Sequence, residues 1–363
     1  MGTTNAQTNS GHAHDEAHSR GSSIDTFFAE TVILLTGATG FLGKALLEKL
    51  LRSCPRVATI FVLIRPKKGQ TVEERFKELL NNPVFERIRS EFPGALNKIF
   101  PVKGDVGLPE LGLEPEDRDM LIQRVNIVFH GAATVRFNEP LKIAVNLNTM
   151  GTDRMLDLCK RMTNLISVIH VSTAYSNADR REIDESIYIW GEFGYLTRKH
   201  AIESPSKYVM WYPDFTFRTN KFIHAIIVAT LHFVPAFIVD LILRAQGCKP
   251  IMVKITKRFE RAAKTGEFFA MNEWKFYTGN MMKLVKFVRA SGECGKFDVD
   301  IGNVDWDVYL HQYMLGIRKY ILKDNLDTLN NARNRLSKLY WMHKCTKILS
   351  ILVLLGMIRC AGR

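Results

Sequence analysis

The apolar run Val32-Ile33-Leu34-Leu35-Thr36 feeds directly into Gly37-Ala38-Thr39-Gly40-Phe41-Leu42-Gly43, and Lys44 to Leu51 continue with the spacing of an amphipathic helix. A short, unbroken apolar run reads as a strand buried on both faces. A helix straight after it implies a parallel α/β unit. Glycines spaced G-x-x-G-x-x-G at that corner let the backbone turn sharply and approach a pyrophosphate, whose charge rests on the helix N-terminus. Strand, glycine triplet and helix in this order predict a dinucleotide-binding turn lined by Thr36, Gly37, Thr39, Gly40, Phe41 and Gly43.

A nucleoside-triphosphate loop is excluded on chemistry. Residues Ala38 to Ala45 come near a Walker A pattern, but Ala45 stands where Ser or Thr must hold Mg²⁺. The nearby Asp15-Glu16-Ala17-His18 lies ahead of the first strand, in a polar stretch.

Four more apolar runs follow, and their carboxyl ends should share one crevice. Ile60 to Ile64 ends at Arg65-Pro66-Lys67-Lys68-Gly69. An acidic residue at this place suits the ribose 2′-hydroxyl of NAD, whereas Arg65 and Lys68 suit the 2′-phosphate of NADPH. Lys98 to Lys103 leads into Gly104-Asp105-Val106, where Asp105 can face an adenine amino group. Val125 to His130 leads into Gly131-Ala132-Ala133-Thr134, and Ala132 and Ala133 are small enough for close passage past a cofactor. Ile166 to Val171 ends in Ser172-Thr173-Ala174-Tyr175.

The motifs T-G-A-T-G-F-L-G at 36–43, G-D-V at 104–106, H-G-A-A-T-V-R-F at 130–137, N-L-N-T-M-G-T at 146–152 and V-S-T-A-Y at 171–175 resemble those of an extended short-chain dehydrogenase/reductase. More narrowly, L-I-R-P-K-K-G at 63–69, A-T-V-R-F-N-E-P-L at 133–141 and Y-S-N-A-D-R-R-E-I-D-E at 175–185 look like those of the alcohol-forming fatty acyl-CoA reductases. W-G-E-F at 190–193, L-H-F-V-P-A-F-I-V-D at 231–240, W-K-F-Y-T-G-N at 274–280 and F-D-V-D-I-G-N-V-D-W-D at 297–307 are similar to that family's C-terminal domain.

The resemblance implies NADPH-dependent reduction of a long-chain fatty acyl-CoA to the aldehyde and then to the fatty alcohol. It implies a serine hydroxyl at Ser172, hydrogen-bonded to the reacting oxygen. A Tyr-x-x-x-Lys pair would donate the proton, the lysine drawing the phenol down from its usual pKa of about 10. The family carries that pair in a long segment after V-S-T-A-Y, followed by further strands. Here Ile187-Tyr188-Ile189 runs straight into Trp190-Gly191-Glu192-Phe193, so the segment is missing and the fifth strand is left as an open edge. Tyr195 and Lys199 form the one replacement pair considered, at the helical spacing that shares a face. The alternative is a non-catalytic, membrane-associated NADPH-binding protein, associated with other reductases.

Composition agrees with a cytosolic-facing, membrane-associated protein. The 363 residues are 46% hydrophobic and 24% charged, enough for a sizeable core. Six cysteines with no close pairing point to free thiols, and no metal site is assigned. The net charge of +13 lies almost wholly beyond residue 243, which favours anionic lipid or coenzyme A as partner. No nucleic-acid signature accompanies it. Residues 222–243 are long and apolar enough to span a bilayer, although Asp240, Pro235 and two histidines interrupt them. An interfacial helical hairpin and an apolar wall for an acyl chain are the other readings. The run 348–358 reads as an interfacial anchor or a core helix.

The expected architecture is therefore α/β: a disordered tail (1–24), a truncated Rossmann-type, doubly wound parallel sheet (30–188), a mainly helical C-terminal domain (190–340) and a hydrophobic tail (344–363). The expected location is the endoplasmic reticulum or the peroxisome.

Overall fold

The computed structural model describes residues 23–67, 69–173, 175, 190–214, 221–270 and 278–361. The chain divides into two compact units, one comprising residues up to 178 together with 281–299, the other 179–280 and 300–363.

The first unit is built on five parallel strands: β1 (Val32–Thr36), β2 (Thr59–Ile64), β3 (Ile99–Lys103), β4 (Ile127–His130) and β5 (Ser167–His170). They lie in the order β3-β2-β1-β4-β5, the doubly wound arrangement expected from the apolar runs. Its helices include α1 (Ser23–Phe28), α2 (Phe41–Ser53), α3 (Val72–Leu80), α4 (Pro115–Arg124) and α5 (Met150–Arg161). Helix α1 opens at Ser23, two residues inside the stretch read as tail.

Alternation along the strands divides the core between the two faces of the sheet. Ile33, Leu35, Ile60, Val62 and Ile64 pack with Leu47 and Leu51 of α2 on one side. Leu34, Phe61, Leu63 and Val128 pack with Leu121 of α4 and Met155 and Leu158 of α5 on the other. Every residue of β2 is buried, whereas β5 is only half-buried. Among the described residues β5 pairs on one side only, with β4.

Residues 281–299, placed by sequence inside the C-terminal domain, belong to this first unit. Phe297 packs against the α1–α2 side of the core, and the Lys49 ammonium lies 4.8 Å from its ring centroid.

The second unit is helical: α6 (Trp190–Glu203), α7 (Lys221–Val228), α8 (Val234–Ala245), α9 (Met252–Ala270), α10 (Trp306–Gly316) and α11 (Leu329–Ala361). Pro235 does not break the apolar stretch. A five-residue π turn, Ala229–Phe233, joins α7 to α8 and absorbs it. Asp240, 7% exposed, is also accommodated: its carboxylate accepts from the backbone N–H groups of Ile251, Met252 and Val253, at 2.9, 2.8 and 3.0 Å. It caps α9 and folds the chain back into a helical hairpin.

His224–Ala245 is long and apolar enough to cross a membrane, with 11% of its most apolar window buried. The run 348–358 continues α11, and Ile348, Leu349, Ile351, Leu352 and Leu355 are all exposed. On those residues the core-helix reading is corrected. The unit is pinned internally by Arg318 and Asp324, 3.3 Å apart, with side chains 3% and 0% exposed.

Candidate functional site

At the carboxyl ends of β1 and β4 two loops press backbone against backbone. Gly37 has φ +77°, and a Cβ there would lie 2.6 Å from the Gly131 carbonyl oxygen. A Cβ on Gly43 would lie 2.2 Å from the Gly37 carbonyl oxygen, so α2 can seat against the turn only without a side chain there. Gly40 precedes α2 and makes no side-chain cap. The amides of the first helical turn therefore present the uncapped, positive end of a helix. This cradle, closed to side chains and open to an anion, fits the pyrophosphate of a nicotinamide dinucleotide.

A buried polar network holds the cradle. Thr36 is fully buried and faces His130 across the β1–β4 register. Its hydroxyl oxygen accepts from the N–H groups of Gly131 and Ala132, at 3.2 and 3.1 Å, and lies 2.9 Å from His130 Nδ1. Thr152 Oγ1 donates to the Asn148 carbonyl and sits 3.2 Å from His130 Nε2. One assignment satisfies every group: Nε2–H donates to Thr152 and Thr36 O–H donates to bare Nδ1. The ring is then neutral, in keeping with a His130 pKa pushed down to about 4 by burial first and by the neighbouring His170 second. Thr36 thus shapes the loop from within rather than facing the crevice.

Two asparagines in a π turn, Val145–Thr149, hold the neighbouring loops. Asn148 accepts from Thr134 N–H and donates to the Thr134 carbonyl, at 2.8 and 3.0 Å. Asn146 donates to the Gly107 carbonyl at 3.0 Å. Asp105 accepts from Gly107 N–H at 2.9 Å, and Val106 is buried in the core. Ala132 is half-buried and Ala133 exposed at the loop after β4.

At the end of β2, Arg65 is exposed and its guanidinium lies 3.7 Å from the Asp105 carboxylate. Lys68 falls outside the described residues. Sequence reading missed Arg75. From α3 it donates to Thr39 Oγ1 at 3.1 Å and to the Arg65 carbonyl, tying the glycine loop to the β2 end. Its sequence signal is one basic residue on a helix that starts with the capping box Thr71–Glu74, which does not reveal that it points at the loop.

Around the same sheet edge Phe41, Val135, Phe137 and Leu141 are 92%, 85%, 70% and 78% exposed. Apolar exposure on this scale marks a surface that faces a ligand or another part of a protein.

The three residues expected to act on the substrate are divided between the units. Ser172 is exposed beyond the end of β5 in the first unit. Tyr195, 65% exposed, and Lys199 stand on α6 in the second. Lys199 Nζ donates to both Asp307 carboxylate oxygens, at 2.8 and 3.0 Å. Hydrogen bonding to Asp307 raises its pKa above the usual lysine value.

A family model described as male sterility protein, of the NAD-binding type, matches residues 35–231. A second with the same description matches 231–324. The chain is 28% identical to mouse (Mus musculus) "Fatty acyl-CoA reductase 1", over 87% of this chain and 90% of that protein. It is 26% identical to the Drosophila melanogaster "Putative fatty acyl-CoA reductase CG8306", over 89% of this chain and 92% of that one. The mouse alignment runs over 462 positions yet takes in 87% of a 363-residue chain. Well over a hundred positions of the relative therefore stand opposite gaps. Among solved structures, the terminal R domain of a myxalamid biosynthetic pathway is 31% identical over 44% of this chain and 37% of that chain, with a TM-score of 0.36.

Proposed function

The chain belongs to the fatty acyl-CoA reductase family, the male sterility proteins, and on that premise we propose that it reduces long-chain fatty acyl-CoA to fatty alcohol through the aldehyde, with NADPH as donor. The observation that carries the proposal is the cradle of Gly37, Gly40 and Gly43 under an uncapped helix, with guanidinium groups at the neighbouring strand end.

Arg65 and Arg75, with Lys68, are the groups that would hold a 2′-phosphate, since a guanidinium pairs with phosphate oxygens in a planar fork. Bound in this cradle, NADPH supplies the hydride. Ser172 would hydrogen-bond the carbonyl oxygen as negative charge builds there. Tyr195 would donate the proton, and the Lys199 ammonium would favour its phenolate form. The hairpin of α7, α8 and α9 would hold the protein on a membrane, at the endoplasmic reticulum or peroxisome, with the reductase unit in the cytosol.

The test is fatty alcohol formation by the full chain expressed in yeast, beside Tyr195→Phe. Alcohol from the parent and none from the variant is the expected result. Alcohol undiminished in Tyr195→Phe removes that residue from the mechanism.

A second reading has its own support: a non-catalytic, NADPH-binding partner of other reductases. Lys199 is already engaged by Asp307. NADPH binding without alcohol from the parent chain would favour this reading.

A further inference from the structure

In the second unit His200, Glu203 and His311 take no part in the reductase reading, although Asp307, which holds Lys199, also touches His200. His200 and Glu203 stand one turn apart on α6, and Asp307 and His311 stand four residues apart on α10, spacings that each place a pair on one helix face. One ligand atom from each of His200, Glu203 and His311 lies within 4.8 Å of the other two. His200 is 3% exposed and meets a carboxylate on both sides. Nδ1 lies 2.9 Å from Glu203 Oε2, and Nε2 lies 2.9 Å from Asp307 Oδ1. Ionised carboxylates only accept, so each ring nitrogen must offer its partner a proton or a metal ion.

A third group stands at the same place: the His311 ring centroid lies 5.2 Å from that of His200, with the rings at 68°.

We propose that His200, Glu203 and His311 bind a divalent cation of the zinc class, with Asp307 as the outer carboxylate that orients His200 through Nε2–H. Two imidazoles and one carboxylate form a borderline nitrogen–oxygen set that suits zinc, and three protein ligands leave a fourth position for water. Metal–ligand bonds of about 2.0 Å at tetrahedral angles put ligand atoms about 3.3 Å apart. The 2.9 Å Nδ1–Oε2 separation has only to widen a little, and the Glu203 side chain, 46% exposed, has room to do so. Asp307 on the far nitrogen supplies the carboxylate–histidine–metal arrangement that fixes the ring and its tautomer. Lys199 in turn holds Asp307. The ion would tie α6 to α10. Sequence spacing does not reveal it, because more than a hundred residues separate His200 from His311 and only helix packing unites them.

The test is titration of the purified, metal-stripped full chain with Co²⁺ and Zn²⁺ by calorimetry and visible absorption. It includes a variant with His12, His14 and His18 changed to Gln, which removes the imidazoles of the N-terminal stretch. The expected result is one ion per chain, with the intense visible bands of tetrahedral Co²⁺, unaffected by the His12, His14 and His18 changes. Binding should vanish in His311→Ala and in Glu203→Ala. Asp307→Asn should keep the stoichiometry and lose about 10–100-fold in affinity. Glu203 is on the surface, so Glu203→Ala decides the matter even if His311→Ala does not fold. No uptake by the parent chain overturns the proposal. So does uptake that survives Glu203→Ala, or that disappears with the three N-terminal histidines.

Discussion

Thr36 and His130 lock the first and fourth strands together where the cofactor turn begins. The threonine hydroxyl lies 2.9 Å from His130 Nδ1 and takes in the amides of Gly131 and Ala132. Two loops brought into contact in this way keep the glycine cradle in shape whether or not a ligand is there.

Thr36→Val removes the hydroxyl but keeps the side-chain shape, leaving Nδ1 and the Ala132 amide without partners. Each buried polar group so stranded costs about 1–3 kcal/mol. The denaturation midpoint should fall accordingly and NADPH binding should weaken, whereas Thr36→Ser should recover most of both. A Thr36→Val protein as stable as the parent would contradict the network.

The same histidine predicts a pH dependence. Its pKa is about 4 in the folded protein against 6.5 for an ordinary imidazole, lowered by burial and then by His170. Between those values the unfolded chain binds the extra proton, so stability is fully present above pH about 6.5 and is lost as pH falls towards about 4. A shift of this size corresponds to roughly 3 kcal/mol. Denaturation curves across that range should slope accordingly, and His130→Asn should flatten the slope.

Arg75 should discriminate between the nicotinamide dinucleotides. Charge-assisted hydrogen bonds are worth about 1.5–3 kcal/mol, so Arg75→Ala should weaken NADPH binding by roughly 10–100-fold and leave NADH nearly unchanged. Fluorescence titration with each cofactor distinguishes this from general damage to the glycine loop, which would weaken both alike.

Asp240 holds three amides at the start of α9. Asp240→Ala should loosen the hairpin by about 0.5–2 kcal/mol, the usual cost of losing a cap. Limited proteolysis at 246–251 should then quicken several-fold. An unchanged cleavage rate would mean that Asp240 has no capping role.

Much of the first unit was legible because its signals are local. Five apolar runs, alternating in which face they present, and a glycine triplet between strand and helix dictate a parallel sheet with a phosphate-sized turn, whatever lies farther along the chain. Asp240 and Pro235 were legible only in part. Read singly they argue against a continuous apolar helix, but the fold gives the first a set of amides and the second a π turn.

What the sequence by itself determined, then, is the parallel sheet, the cradle and the family. Each of these depends on residues adjacent in the chain or on motifs of fixed spacing. Only the tertiary structure decided that Thr36 reaches His130, that Arg75 reaches Thr39, that 281–299 joins the first unit and that His200 meets His311. Those pairings join residues from 36 to more than a hundred positions apart, or elements remote in the chain. No local period encodes them, and they exist only once the buried faces of strands and helices have settled against one another.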